Sequence, residues 1–240
     1  MSIPTSIKLN FKNIRIIRQK HNILLVFNSI KDNEQSEFYN NINRNELART
    51  LEELDLRIDT FWEKCRKDYL FAKISSCHLA KRASRQGSKD EDVQIRTCNF
   101  ITKLCGVYIT NLTTTCFRPT KDGHIVSKQD MKQNSITIDQ CLKSFDAKVS
   151  GKIEGWISAK VAFGSGGHQD NVFEEMDGLA FWWSKYKNGS SQYLIILLDT
   201  DLVDKNTCIK NKYNTVENIK IFNHVEFQDY VISTFYEDNM

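Results

Sequence analysis

Proline and glycine are scarce in this 240-residue chain, with two and ten copies, which excludes collagen-like, proline-rich and low-complexity architectures. Charge of one sign is not in excess either. The 33 basic and 30 acidic residues leave a formal charge of +3, so any affinity for nucleic acid has to come from local clustering. The seven cysteines (Cys65, Cys77, Cys98, Cys105, Cys116, Cys141, Cys208) form no C-x-x-C pair and have no histidine at zinc-ligand spacing. A disulfide framework and a structural zinc are therefore not expected, and a reducing, cytoplasmic setting is. Apolar runs such as Ile23–Phe27 and Tyr193–Leu198 fall far short of the roughly 20 residues that cross a bilayer, and MSIPTSIKLNFKNIRIIRQK contains no uninterrupted apolar stretch. Neither a membrane span nor a signal peptide is expected. What the chain does have is 40% hydrophobic and 11% aromatic residues, enough for one ordinary domain with a helical appendage that buries roughly three quarters of its unfolded surface.

Periodicity divides the chain. The runs Ile14–Ile17 and Ile23–Phe27, separated by RQKHN, predict a small hairpin. Leu47, Leu51, Leu54, Ile58, Phe61 and Cys65 alternate at steps of four and three, predicting one helix over about 44–80 whose stripe packs in a core or against a second copy. Gly87, inside the polar segment Lys81–Glu91, marks a boundary, so residues 1–83 read as a hairpin and long helix for packing or dimerisation, and 84–240 as a core with a C-terminal extension. Val93 to Leu104 suggest another helix, and Val107–Phe117 and Ile136–Ile138 are β-rich. Phe145–Val149 and Ile153–Phe163 flank Ser150-Gly151-Lys152 as a hairpin, and Gly164–Gly167 closes its second strand. Val172, Met176, Leu179 and Trp183 predict a helix over about 169–186, stopped by Asn188-Gly189. A buried strand follows at 192–198, and Val225, Phe227, Tyr230, Val231 and Phe235 form a final element.

Chemistry concentrates around the hairpin. Asp146 opens its first strand, and Ser158 and Lys160, two apart, share one face of the second. Glu174 and Glu175 lie on the following helix. Carboxylates grouped near a lysine suit metal-assisted phosphodiester hydrolysis, with hard oxygen ligands for Mg²⁺ and a cation to position water or offset phosphate charge. Asp146-Ala147-Lys148 with Asp139 is a less roomy alternative centre. Glu154, about 13 Å from Ser158 along an extended strand, is too far to share a metal with it.

Over about residues 84–199 this pattern resembles the PD-(D/E)XK nuclease superfamily, in particular type II restriction endonucleases. In that family a Glu-bearing helix precedes a hairpin carrying Pro-Asp and Glu-x-Lys. Here Ser84–Glu91 is similar to the helix entry, Phe145-Asp146 to the Pro-Asp, and Ser158-Ala159-Lys160 to the Glu-x-Lys. Phe145 replaces the proline, and Ser158 stands where an acid is usual. A subset reading CCGG-like cores has this Ser-x-Lys and takes its missing carboxylate from a Glu about fourteen residues beyond the lysine. Glu174 matches that spacing. Glu175 sits nearer the inward stripe, because Glu174 projects about 100° farther round the helix.

The resemblance implies an α/β fold with a mixed central sheet flanked by helices, restriction-endonuclease-like, with a mainly helical N-terminal region. It further implies a Mg²⁺-dependent endodeoxyribonuclease acting on double-stranded DNA and a cognate DNA methyltransferase. Two-fold targets are usually met by two-fold proteins, so a homodimer is expected, with the 47–65 stripe a candidate interface. Asp146 and Glu175 (or Glu174) would bind metal, Lys160 would assist water or phosphate, Ser158 would line the site, and Glu91 would support it. The subset's Arg-rich reading loop is replaced by Gly164–His168, so its specificity is not carried over. Backbone N–H groups of Gly164–Gly167 suit an anion. Ser165, His168, Gln169 and Asn171 stand where bases would be read, although Asn171 equally suits a helix cap. Two basic clusters, one with Arg85 and Lys89 and one with Arg118 and Lys121, are candidate phosphate contacts. The alternatives are a structure-selective repair nuclease of the same superfamily and a non-catalytic DNA-binding protein on the same fold.

Overall fold

The computed structural model describes residues 3–112, 116–163 and 167–236. They belong to two compact units, residues 10–86 and residues 1–9 with 87–240. In the first unit, one helix, α1 (Phe11–Lys31), runs through both segments expected to pair as a hairpin. The linking RQKHN contains neither Gly nor Pro, and its last residue, Asn22, is a core position whose amide donates to the Lys81 carbonyl at 2.8 Å. With Asn22 counted as inward, Asn22, Val26, Ser29 and Ile30 trace a helical face, which the apolar residues alone conceal.

The single helix expected over 44–80 is three. After α2 (Gln35–Asn41) come α3 (Arg44–Glu53), α4 (Ile58–Lys67) and α5 (Tyr69–Leu79). Asp55 breaks the first junction with φ 49°, and Asp68 breaks the second by capping α5, its carboxylate accepting from the Phe71 N–H at 3.0 Å. Leu47, Phe61 and Cys65 of the proposed dimer stripe are buried, packed with Phe38, Trp62 and Leu79 in this unit's own core. Leu51 and Ile58 pack partly against that core and Leu54 is exposed, so most of the stripe is spent on internal packing.

The second unit is α/β. A mixed five-stranded sheet in the order β1 (Val107–Asn111), β4 (Ala147–Gly151), β5 (Gly155–Ala162), β6 (Tyr193–Thr200), β7 (Ile219–Phe222) forms its centre. The β1–β4 and β4–β5 pairs are antiparallel, and β5–β6 and β6–β7 are parallel. Between β1 and β4 lie a small hairpin of β2 (Phe117–Pro119) and β3 (Ile125–Ser127), then α7 (Lys128–Gln133). Ile136–Ile138, expected as β-rich, instead leads into a 3₁₀ turn whose Thr137 and Gln140 form a capping box. Helices α6 (Gly87–Thr102) and α10 (His224–Phe235) cover one sheet face, where Ile95, Cys98, Phe227 and Val231 pack on Ile157, Ala159 and Ile195. Helices α8 (Gly167–Tyr186) and α9 (Val203–Tyr213) cover the other, with Met176, Trp183 and Ile209 on Trp156, Leu194 and Ile196.

Covered on both faces, β5 and β6 are buried almost throughout, and β6 reads accordingly as a continuous apolar run. Two glycines make the hairpin and its central pairing feasible. Gly151 turns with φ 98° where a Cβ would fall 2.2 Å from the Gly106 carbonyl oxygen, and at Gly155 a Cβ would fall 2.1 Å from the Tyr193 carbonyl oxygen. Among the described residues no helix is long and apolar enough to cross a membrane.

Candidate active site

Burying a lysine on a central strand is costly unless acids surround it. Lys160, on β5, is such a residue, and its ammonium meets a carboxylate from each of three neighbouring segments. Nζ lies 3.5 Å from Glu91 Oε1, 3.7 Å from Asp146 Oδ2 and 3.4 Å from Glu175 Oε1. Glu91 comes from the first turns of α6, Asp146 from the residue before β4, and Glu175 from α8. The hairpin register opposes Ala147 to Ile157, which carries Asp146 alongside Ser158. Asp146 Oδ2 accepts the Ala159 N–H at 2.8 Å, fixing the carboxylate over β5, and the buried Ser158 hydroxyl lies 3.5 Å from the same oxygen.

Burial dominates the electrostatics of these acids. Burial raises the Asp146 pKa, with Glu175 adding repulsion, and Lys160 and the Ala159 N–H only partly offset this. Burial also raises Glu91, reinforced by Asp146 and Glu175 and opposed by Lys160. For Lys160, burial works to depress the pKa, but Asp146, Glu91 and Glu175 outweigh it and hold the amine above its ordinary value. Lys160 is thus an ammonium at neutral pH, shared among three acids.

A cleft of about 420 Å³ opens onto this cluster, its wall completed by Arg118, Lys143, Ser144, Asn171 and Val172. Lys143 donates to Glu175 Oε2 at 2.7 Å, and Arg118 to the Leu142 carbonyl at 3.3 Å. Among the described residues no three His, Cys, Asp or Glu side chains converge on one point as a ready cage for a metal. The acids converge instead on the ammonium. In kind they fit Mg²⁺, since they are hard oxygen donors left with uncompensated negative charge.

The structure does not bring every sequence-predicted residue here. Glu174 is exposed and lines smaller hollows beside α9 and Leu142, neither of which Lys160 lines. Asn171 and Arg118 face the cleft, whereas Lys121, on the β2–β3 turn, and Lys89, on α6, are exposed elsewhere in the unit. Arg85 is an exposed residue of the helical unit. The Gly164–Gly166 part of the glycine loop, including Ser165, lies outside the described residues. His168 and Gln169 fall in the first turn of α8 with side chains that also lie outside them. The alternative centre is not assembled, since Lys148 is exposed over the Trp156 ring and hydrogen bonding from Thr137 holds the exposed Asp139 carboxyl below its usual range.

Sequence reasoning missed two features. One is Lys143, in a connecting segment without periodicity, whose only signal is that it stands three residues before Asp146. The other is a buried polar chain on the α6–α10 side, where Gln94 donates to Asp199 at 2.6 Å and His224 Nδ1 meets Asp199 at 2.7 Å. The Leu9 N–H donates to His224 Nε2 at 2.8 Å, so Nε2 is an acceptor and the ring's proton lies on Nδ1, toward Asp199. No family model, curated protein or solved structure compared with the chain matches it.

Proposed function

We propose that the chain is a Mg²⁺-dependent endodeoxyribonuclease of the type II restriction kind, a PD-(D/E)XK-like enzyme acting on double-stranded DNA. The convergence of Glu91, Asp146 and Glu175 on the buried Lys160 ammonium carries this reading. A hairpin acid, a lysine two residues beyond Ser158, and an acid borrowed from the next helix are the arrangement that the Ser-x-Lys subset implies. The gathering of these three segments at one cleft supports it.

Asp146 and Glu175 would hold Mg²⁺, with Glu91 supporting from α6. Bound there, the ion would lower the pKa of water and offset charge on the phosphate. Lys160, kept charged by its acids, would place a fixed positive charge against the scissile phosphate, where a low-dielectric site makes it count most. Ser158 would line the floor and steady Asp146. Arg118 and Asn171 would meet DNA at the rim. A homodimer is proposed because two-fold targets are usually met by two-fold proteins, and a methyltransferase of the same specificity would protect the host.

Incubation of Lys160→Ala with DNA and Mg²⁺ tests the assignment. Cleavage is expected to vanish while DNA binding persists, and undiminished cleavage removes Lys160 from the chemistry. A second reading, a DNA-binding protein without catalysis, draws on Ser158 standing where an acid is usual. Wild-type protein that binds DNA yet leaves it intact in Mg²⁺ would establish that reading. Nicking without sequence preference would instead indicate a structure-selective nuclease.

A further inference from the structure

Glu175 is held by two ammoniums, one on each oxygen. Lys160 Nζ lies 3.4 Å from Oε1, and Lys143 Nζ lies 2.7 Å from Oε2, the closer of the two contacts. The two cations differ in freedom. The Lys160 side chain is 11% exposed and fixed on a central strand, whereas that of Lys143 is 65% exposed and springs from the segment before β4. An ion pair with one partner so exposed is screened by water and readily broken. The positive charge of Lys143 also reaches Asp146, so it serves both carboxylates assigned to the cation. Arg118 lines the same cleft, which gives that wall a second positive group.

Resting on the reading of Asp146 and Glu175 as cation ligands, we propose that Lys143 is an exchangeable counter-ion of Glu175. It occupies Oε2 while the site lacks a divalent cation, competes with that cation for the oxygen, and on displacement becomes a contact for a DNA phosphate at the cleft wall. The physical basis is competition. A carboxylate oxygen neutralised by an ammonium at 2.7 Å has to give up that contact before it can coordinate. The released ammonium needs a new anion, and the anion brought to this wall is the phosphodiester backbone. Divalent cation and DNA therefore assist each other through one side chain, and by linkage the assistance is reciprocal.

Calorimetric titration of Ca²⁺ into the DNA-free protein tests the competition, with wild type, Lys143→Met, Lys143→Arg and Glu175→Gln in parallel and thermal melts confirming that each is folded. Lys143→Met is expected to bind Ca²⁺ about two- to fivefold more tightly than wild type, the equivalent of a surface ion pair removed. Lys143→Arg should behave as wild type, and Glu175→Gln should lose most of the affinity. Equal or weaker binding by Lys143→Met overturns the inference. If wild type shows no carboxylate-dependent Ca²⁺ binding at all, the functional reading fails first and the inference with it. In Ca²⁺, Lys143→Met should also bind a mixed-sequence duplex more weakly, with a salt dependence lower by about one phosphate contact per protomer. An unchanged salt slope overturns the phosphate role.

Discussion

Replacing Asp146 by Asn should make this protein more stable at neutral pH, because the fold tolerates the ionised carboxylate less well than water does. Burial is the leading cause of its raised pKa, and the attraction to Lys160 is already included in that net direction. Asparagine keeps an oxygen for the Ala159 N–H, now accepted at 2.8 Å, and removes one of the three charges crowding Lys160. An acid with a raised folded-state pKa stabilises fully only below its unfolded pKa, about 3.9 for Asp, and that contribution is lost as pH rises through the folded value. The advantage of Asp146→Asn is therefore largest near pH 7–8 and vanishes as pH approaches 4. A substitution that relieves one unfavourable buried charge falls in the ordinary range of about 0.5–3 kcal/mol for single changes, so a gain on the order of 1 kcal/mol is expected. For a chain of this size that raises the melting temperature by about 2–4 °C. Thermal melts from pH 4.5 to 8 without divalent cations measure it. A variant that melts below wild type at pH 7.5, or a gap that does not shrink on acidification, would refute the electrostatic account. Saturating Ca²⁺ should reverse the order, since at a hundred times its dissociation constant a ligand adds about 2.7 kcal/mol to wild type alone.

Glu91→Gln should stabilise in the same direction and fade over the same kind of acid window, because burial raises its pKa too. Lys160→Met should cost about 2–3 kcal/mol in denaturant titrations at pH 7. That is less than the 3–5 of a fully enclosed pair, because Glu91, Asp146 and Glu175 keep about a fifth of their side-chain surface in solvent. Glu174→Ala should stay within about 0.5 kcal/mol of wild type and retain Ca²⁺ binding, since this side chain is exposed and does not line the Lys160 cleft. His224→Ala strips Asp199 of a buried partner and leaves the Leu9 N–H without its acceptor. A loss of about 2–3 kcal/mol is expected in the same titrations.

Strong periodicity and glycine chemistry make much of the sheet unit legible in the sequence. The β4–β5 hairpin and α8 follow from alternating or four-and-three spacing between breakers, β6 follows from its continuous apolar run, and the α10 segment is legible only as an apolar final element. The helical unit was harder for definable reasons. Asn22 is a polar residue at a core position, so it hid the face of α1. The stripe from Leu47 to Cys65 stays in phase across the break at Asp55, where the chain turns without Gly or Pro. Within the site, Asp146, Lys160 and Glu175 were visible because strand and helix periodicities fix which side chains share a face. Lys143 was not, because a connecting segment has no period, and its direction depends on tertiary packing. The His224–Asp199–Gln94 chain was invisible for a related reason, as its members are 25 and 105 residues apart along the chain.

The most direct measurement is digestion of mixed genomic DNA with Mg²⁺, followed by sequencing of the fragment ends, for wild type and Lys160→Ala side by side. The account predicts wild-type ends that share one short sequence, vanish when the metal is chelated, and are missing from the variant. DNA left intact by folded wild-type protein, or equal cutting by the variant, would contradict it.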